Sequence, residues 1–274
     1  YLQSDLMSRF KAGCQFKDQL NALQPAWEGK QDADIIVSVV NMVKENVVWN
    51  GDYSIYPDQL AKVVKTRSGS NVDINCLIAA CLRHLDYVVE PVFIKERSSG
   101  MLLDFQPERN PFDTFILRVV AKDGSLYYLD GGSSRGYLNV LPDEFLINNA
   151  RIIREGGKSQ WVNLTSLVRN SIRYTVQATI TPDLRLSGSV NAKYHNEESF
   201  SRKVKYNSYD TEDELINALE RRLDVEIDEY TASGMHDYSP VADENFTFTK
   251  YLDASGDMLY VNLFLETFHS KDAF

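Results

Sequence analysis

The chain has 274 residues, 43% of them apolar and 25% charged, an ordinary globular composition long enough for two domains with separate cores. Its formal charge of −10 argues against broad electrostatic binding to nucleic acid or to an anionic membrane surface. No apolar run approaches the roughly 20 residues needed to cross a bilayer, and no glycine-rich phosphate loop or dinucleotide fingerprint is present, so no cofactor is expected.

In chain order, Leu2 to Leu23 and Ala33 to Asn46 read as helices separated by the breaker-rich stretch Pro25 to Lys30, and Trp49-Asn50-Gly51 ends the second. The next informative stretch is Thr66-Arg67-Ser68-Gly69-Ser70-Asn71-Val72-Asp73. Gly69 allows a tight approach of the backbone, Ser70 is a good N-cap, and Asp73 three residues later completes a capping-box pattern. The helix it starts should run to about Leu85. Ile74, Leu77, Ile78, Cys81, Leu82 and Leu85 form one apolar stripe at helical spacing, and Asn71 lies close to it. Asn71 should therefore face whatever this helix packs on.

Val88 to Ile94 and Thr114 to Val120 are apolar runs rich in β-branched and aromatic residues, and Leu126-Tyr127-Tyr128-Leu129-Asp130 follows a turn at Lys122 to Ser125. They read as strands, with Lys95 to Pro111 as a loop crossing a cleft. This succession of helix, crossing loop, Phe112-Asp113-Thr114-Phe115 and Tyr127-Tyr128-Leu129-Asp130-Gly131 resembles a transglutaminase-like domain of the papain-type cysteine enzymes over roughly Ile35 to Pro142. Gly69, Asp73, Phe112 and Asp130 keep the family pattern. Asn71 stands where the family has its cysteine, and Thr114 where it has its histidine. The stretch Gly69 through Asn75 is closest to a subgroup of bacterial envelope proteins. The resemblance implies an α+β fold: a transglutaminase-like domain of helices packed on an antiparallel sheet at 1–157, then a smaller β-rich domain with one helix at 166–274.

The chemistry of that family needs a thiolate at the helix N-terminus, an imidazole to take its proton and a carboxylate to orient the imidazole. An asparagine side chain offers no such nucleophile, and a threonine hydroxyl is no base near neutral pH. The expectation is a catalytically degenerate site in which Asn71, Thr114 and Asp130 form a satisfied hydrogen-bond cluster between helix and sheet. No residue replaces the lost groups obviously. Cys14, Cys76 and Cys81 are an odd number of cysteines without zinc-ligand or Cys-x-x-Cys spacing. Cys81 lies in the apolar stripe as a small core residue, Cys76 lies on the opposite face more than a turn inside the helix, and Cys14 is the least constrained. His84 falls at a helix end, where it can serve the last carbonyls. His195, His236 and His269 have no ligand spacing, so no metal site is expected.

Past Asp130, residues 131–157 read as irregular and Gly156 to Thr165 as a linker, with Trp161 as an anchor between two parts. Ile172 to Thr181 and Leu184 to Tyr194 should form a hairpin over Pro182-Asp183. Arg202-Lys203-Val204-Lys205 reads as one exposed strand face, and Asp224 to Glu229 as a solvated charge run. Thr211-Glu212-Asp213-Glu214 starts a helix to about Leu223, and Phe246 to Leu252 with Met258 to Thr267 suggests a final hairpin.

Three functions are compatible with these features. The first is a non-catalytic binding or scaffolding module for a peptide, glycan or protein partner. The second is a cysteine protease or amidase with a relocated nucleophile, and the third a structural spacer in a longer chain. A periplasmic or cell-envelope location is implied by the resemblance alone; a chain opening on Tyr1 without a leader reads as a mature or excised piece.

Overall fold

The N-terminal stretch that reads as one helix is two. In the computed structural model, which describes residues 2–100, 112–133, 135–154, 158–255 and 258–260, α1 (Leu2–Phe10) stops short of Gly13 and α2 (Lys17–Leu23) starts after it. A helical glycine costs about 1 kcal/mol relative to alanine, and the break lets Phe10, Phe16 and Leu20 all turn inward. A 3-10 turn at Gln24–Trp27 leads to α3 (Asp32–Asn46). Three elements not foreseen from the sequence follow. Strand β1 (Val48–Trp49) and helix α4 (Leu60–Thr66) precede β2 (Ser68–Gly69), which pairs in parallel with β1. All three are too short to display a hydrophobic period.

Helix α5 (Asn71–His84) begins at Ser70 with the expected reciprocal capping box to Asp73. Its environment differs from the amphipathic expectation, since every residue from Asn71 to Leu82 is buried, Cys76 included. A helix apolar around its whole circumference is central, and α5 contacts α1 to α4 as well as the strands that follow it.

Those strands are β3 (Val88–Ile94), β4 (Thr114–Val120) and β5 (Leu126–Leu129), within a residue of the sequence reading. Two more, β6 (Ala150–Ile153) and β7 (Ser159–Val162), complete an antiparallel sheet in the order β5-β4-β3-β6-β7. Residues 131–157 are thus not wholly irregular, and the expected linker at 156–165 contains the strand β7. Trp161 is the register partner of Arg151 on β6, whose guanidinium lies 4.5 Å from the indole ring. Its contact is within its own sheet. Phe93, Phe115, Leu117 and Val119 meet the helices on one face of the sheet, while Val92, Ile94, Ile116 and Ile152 pack beneath Leu141 and Phe145 on the other. Burial on both faces explains why β3 and β4 are continuous apolar runs instead of alternating ones.

The later strands form a second antiparallel sheet. It contains β8 (Ser171–Ile180) and β9 (Arg185–His195), followed in the chain by α6 (Glu197–Tyr206), α7 (Glu212–Leu223), β10 (Glu226–Ser233) and β11 (Val241–Tyr251). The strand order is β10-β11-β9-β8. Two helices occur where one was expected. Residues 202–205 belong to α6 and not to a strand; Arg202 and Lys203 are buried, with Arg202 paired to Glu244 on β11. The charge run at 224–229 likewise feeds β10. Of the expected final hairpin, the first strand lies in β11, which pairs with β10 and β9, and it is β12 (Asp253–Ser255) that pairs with β13 (Met258–Tyr260). The rest of that expected hairpin, 261–267, and most of the expected cleft-crossing loop, 101–111, lie outside the described residues.

By their contacts, Tyr1–Arg169 with His236–Pro240 form one unit, and Asn170–Met235 with Val241–Phe274 the other. Among the described residues, no helix is long and apolar enough to cross a membrane.

Candidate functional site

The N-terminus of α5 carries the residues that the sequence singles out. Asn71 and Thr114 are both fully buried, and the Asn71 Nδ2 donates to Thr114 Oγ1 at 2.6 Å. The other end of the amide is also occupied, with Ser54 N donating to Asn71 Oδ1 at 3.2 Å. The structure thus brings two of the three expected positions into direct contact. Asp130, 2% exposed, is bound by other groups: Asn75 Nδ2 donates to its Oδ1 at 3.2 Å and Ser133 N to its Oδ2 at 2.9 Å.

Asn75 is the residue that the sequence reading left without a role. One turn below Asn71 and fully buried, it also donates to the Phe115 carbonyl at 2.8 Å and accepts from Gly131 N at 2.7 Å. One side chain therefore joins α5, β4 and the segment after β5. Its only signal in the sequence was its place at the end of the Gly69 to Asn75 pattern. The Gly131-Gly132 pair has a steric reason: a Cβ on Gly131 would sit 2.7 Å from Ile74 Cγ2, and one on Gly132 2.8 Å from Asn71 Cβ. Larger residues would push the Asp130 segment away from the helix.

A loop over residues 50–58 closes the helix end. Asn71 N donates to the Asp52 carbonyl at 3.1 Å, while Asp73 accepts from Asp58 N at 2.6 Å and from Ser70 N at 2.8 Å. The N–H groups that make a helix N-terminus attractive to an anion are thus partly engaged by protein. Tyr53 of this loop packs between Trp49 and Phe145, with ring centroids 5.1 and 5.2 Å away. Burial raises its hydroxyl pKa, and the Asp130 charge adds to that.

Lys44 on α3 is the second residue not foreseen. It donates to the Ser133 carbonyl and lies 4.3 Å from the ring of Tyr238, which stacks on Tyr137. Burial lowers its pKa to about 8 against the opposing pull of Asp130. Burial in turn raises the Asp130 pKa, opposed first by Lys44 and then by Asn75 and the Gly132 and Ser133 N–H groups. The cluster holds one carboxylate, amides, hydroxyls and an ammonium. It has no thiol and no imidazole at the positions where acyl transfer needs them.

The cysteines lie elsewhere. Cys76 is fully buried, which raises its pKa. Cys14, read as the least constrained of the three, is half-buried with its Sγ 3.4 Å from Cys81 Sγ. The Cys81 S–H bond is the main influence lowering the Cys14 pKa to about 6; burial opposes it, and Phe16 N, His84 and Lys17 assist. Among the described residues, no group of three or more His, Cys, Asp or Glu is placed to hold a metal ion.

The second unit offers a different surface. Its buried side chains on β9 and β11 are the even-numbered ones, including Val190, Ala192, Phe246 and Phe248. The odd-numbered residues form a polar face in which Thr175, Asn191, Asn245 and Thr231 make one cross-strand row, and Gln177, Ser189, Thr247 and Glu229 the next. A shallow groove of about 300 Å³ follows these rows, and Asn191 Nδ2 donates to Asn245 Oδ1 at 2.5 Å within it.

No family model and no curated protein matches the chain. Among solved structures it is similar to a "putative protease" from Parabacteroides distasonis, at 8% sequence identity and a TM-score of 0.41. The match covers 90% of this chain and 51% of that one, so this chain spans about half the length of that protein.

Proposed function

We propose that this is a non-catalytic transglutaminase-like protein of the cell envelope, with a binding or scaffolding role toward a peptide, glycan or protein partner. The observation that carries this reading is the 2.6 Å bond between the fully buried Asn71 and Thr114. Where the chemistry would require a thiolate and a base, two neutral groups satisfy one another. The polar groove of the second unit is the surface best suited to a ligand, because its amide and hydroxyl rows, with Glu229 at one end, match the donors and acceptors of a sugar or peptide backbone.

The test pairs turnover with binding on the intact chain. Amine incorporation into a glutaminyl peptide and hydrolysis of a peptide amide are expected at the buffer rate. A soluble peptidoglycan fragment is expected to bind saturably in calorimetry, more weakly after Asn245→Ala. Turnover abolished by Asn71→Ala would overturn the non-catalytic reading, and absence of both turnover and binding would favour a spacer. The lowered Cys14 pKa favours, as second reading, a cysteine protease or amidase with a relocated nucleophile. That reading requires peptide-amide turnover that Cys14→Ser removes.

A further inference from the structure

The loop between α1 and α2 places one accessible thiol against one buried thiol. Cys14 is half-buried, Cys81 is fully buried near the C-terminal end of the central helix, and their sulfurs are 3.4 Å apart. We propose that Cys14 and Cys81 are a reactive dithiol that closes to a disulfide, tying the α1–α2 loop to α5 across a separation of 67 residues.

Three features make the closure feasible. A disulfide needs its sulfurs at about 2.05 Å, so they must approach by little more than an ångström. The chain beside Cys14 is uncrowded, since a Cβ added at Gly13 would meet nothing within 4 Å. The reactivity is also asymmetric in the direction the chemistry needs. The Cys81 S–H bond, Phe16 N, and the charges of His84 and Lys17 favour the Cys14 thiolate, whereas that same bond and burial hold Cys81 as the thiol. Cys76, five residues before Cys81, points some 140° away around the helix and supplies an internal control.

The oxidant is a small disulfide. The Cys14 thiolate attacks one of its sulfurs, forming a mixed disulfide and releasing one thiolate. Cys81 then loses its proton and attacks the Cys14 sulfur, forming the Cys14–Cys81 bond and releasing the second thiolate. Two protein thiols are oxidised, and one small disulfide is reduced to two thiols.

The experiment uses the intact chain, reduced and then exposed to oxidised glutathione. The free-thiol count after unfolding should fall from three to one. A non-reducing digest should show Cys14 joined to Cys81, with Cys76 free. Cys81→Ser should stop at a glutathione adduct on Cys14, and Cys14→Ser should leave Cys81 unmodified. The wild-type digest stands even if a variant fails to fold. Three surviving thiols, a link from Cys14 to Cys76 or to a second chain, or a Cys81 modified as fast in Cys14→Ser as in wild type would overturn the proposal.

Discussion

Glu244 in one unit and Asp130 in the other are buried carboxylates satisfied by different means. Glu244 on β11, 2% exposed, is gripped by a full opposite charge: Arg202 Nε donates to it at 2.6 Å, a second guanidinium nitrogen completes the fork, and the Tyr194 and Tyr230 hydroxyls also donate to it. Asp130 is held mainly by neutral donors, the Asn75 amide and backbone N–H groups, with Lys44 acting on it by charge. A bidentate ion pair inside a sheet-and-helix core is a structural fastening.

The largest expected effect comes from breaking the charged cluster. Arg202→Ala leaves Glu244 buried beside two tyrosines, and losses on removing one partner of such a pair are about 3–5 kcal/mol. Hydrogen exchange of the β9 and β11 amides should show it as a local loss of protection. The double variant Arg202→Met with Glu244→Leu should recover part of the loss, since no uncompensated charge remains. A single variant that costs no more than the double would mean that Glu244 is satisfied without Arg202.

The neutral cluster should break more gently and in a graded order. Asn75→Ala removes contacts to Phe115 O, Asp130 and Gly131 N together; Asp130 keeps its bond from Ser133 N, so the expected cost is about 2–4 kcal/mol, below the sum of roughly 1–3 for each of three stranded groups. Asn71→Ala strands Ser54 N and Thr114 Oγ1, and Ser54 lies on a surface loop that can recruit water, so about 1 kcal/mol is expected. Urea unfolding followed on the β3 and β4 amides checks the order. If Asn71→Ala costs more than Asn75→Ala, Asn71 is the organising residue and the roles assigned here are reversed.

That ranking also marks where the sequence was legible. Asn71 was conspicuous because a reactive residue was missing, and the capping box at Ser70 and Asp73 set its position through local bonding alone. Asn75 was not, because its partners come from β4 and the Gly131 turn, 40 and 56 residues away. Lys44 was hidden likewise, its bond to Ser133 spanning 89 residues. The apolar strands β3 and β4 could be read from their composition, and β8 and β9 from alternation on either side of the Pro182-Asp183 turn. By contrast, β1, β2 and α4 could not, being shorter than any period they might display. Helix α6 was misread as a strand because Arg202-Lys203 looks like surface until Glu244, 42 residues on, provides a reason to bury it. Cys14 was read as the least constrained cysteine because nothing local predicts a neighbour 67 residues away.

The smallest expected effect sharpens the contrast by pH. Lys44 is charged in the unfolded chain up to about 10.5 but only to about 8 in the native one, because burial disfavours the ammonium. Between those values the unfolded state binds more protons, so this group makes stability rise with pH through that window and fall again as pH drops through about 8. The tyrosines facing it, Tyr137 and Tyr238, have raised pKa values. They stay protonated in the native state and oppose the rise only once the unfolded chain's tyrosines begin to ionise near pH 10. Urea midpoints between pH 7 and 9.5 should therefore climb in wild type relative to Lys44→Met. Arg202 should contribute no corresponding slope there, since a guanidinium stays charged throughout that range. Parallel midpoints for wild type and Lys44→Met would mean that the ammonium is solvated in the native state, and Asp130 would then have to be satisfied by amides alone.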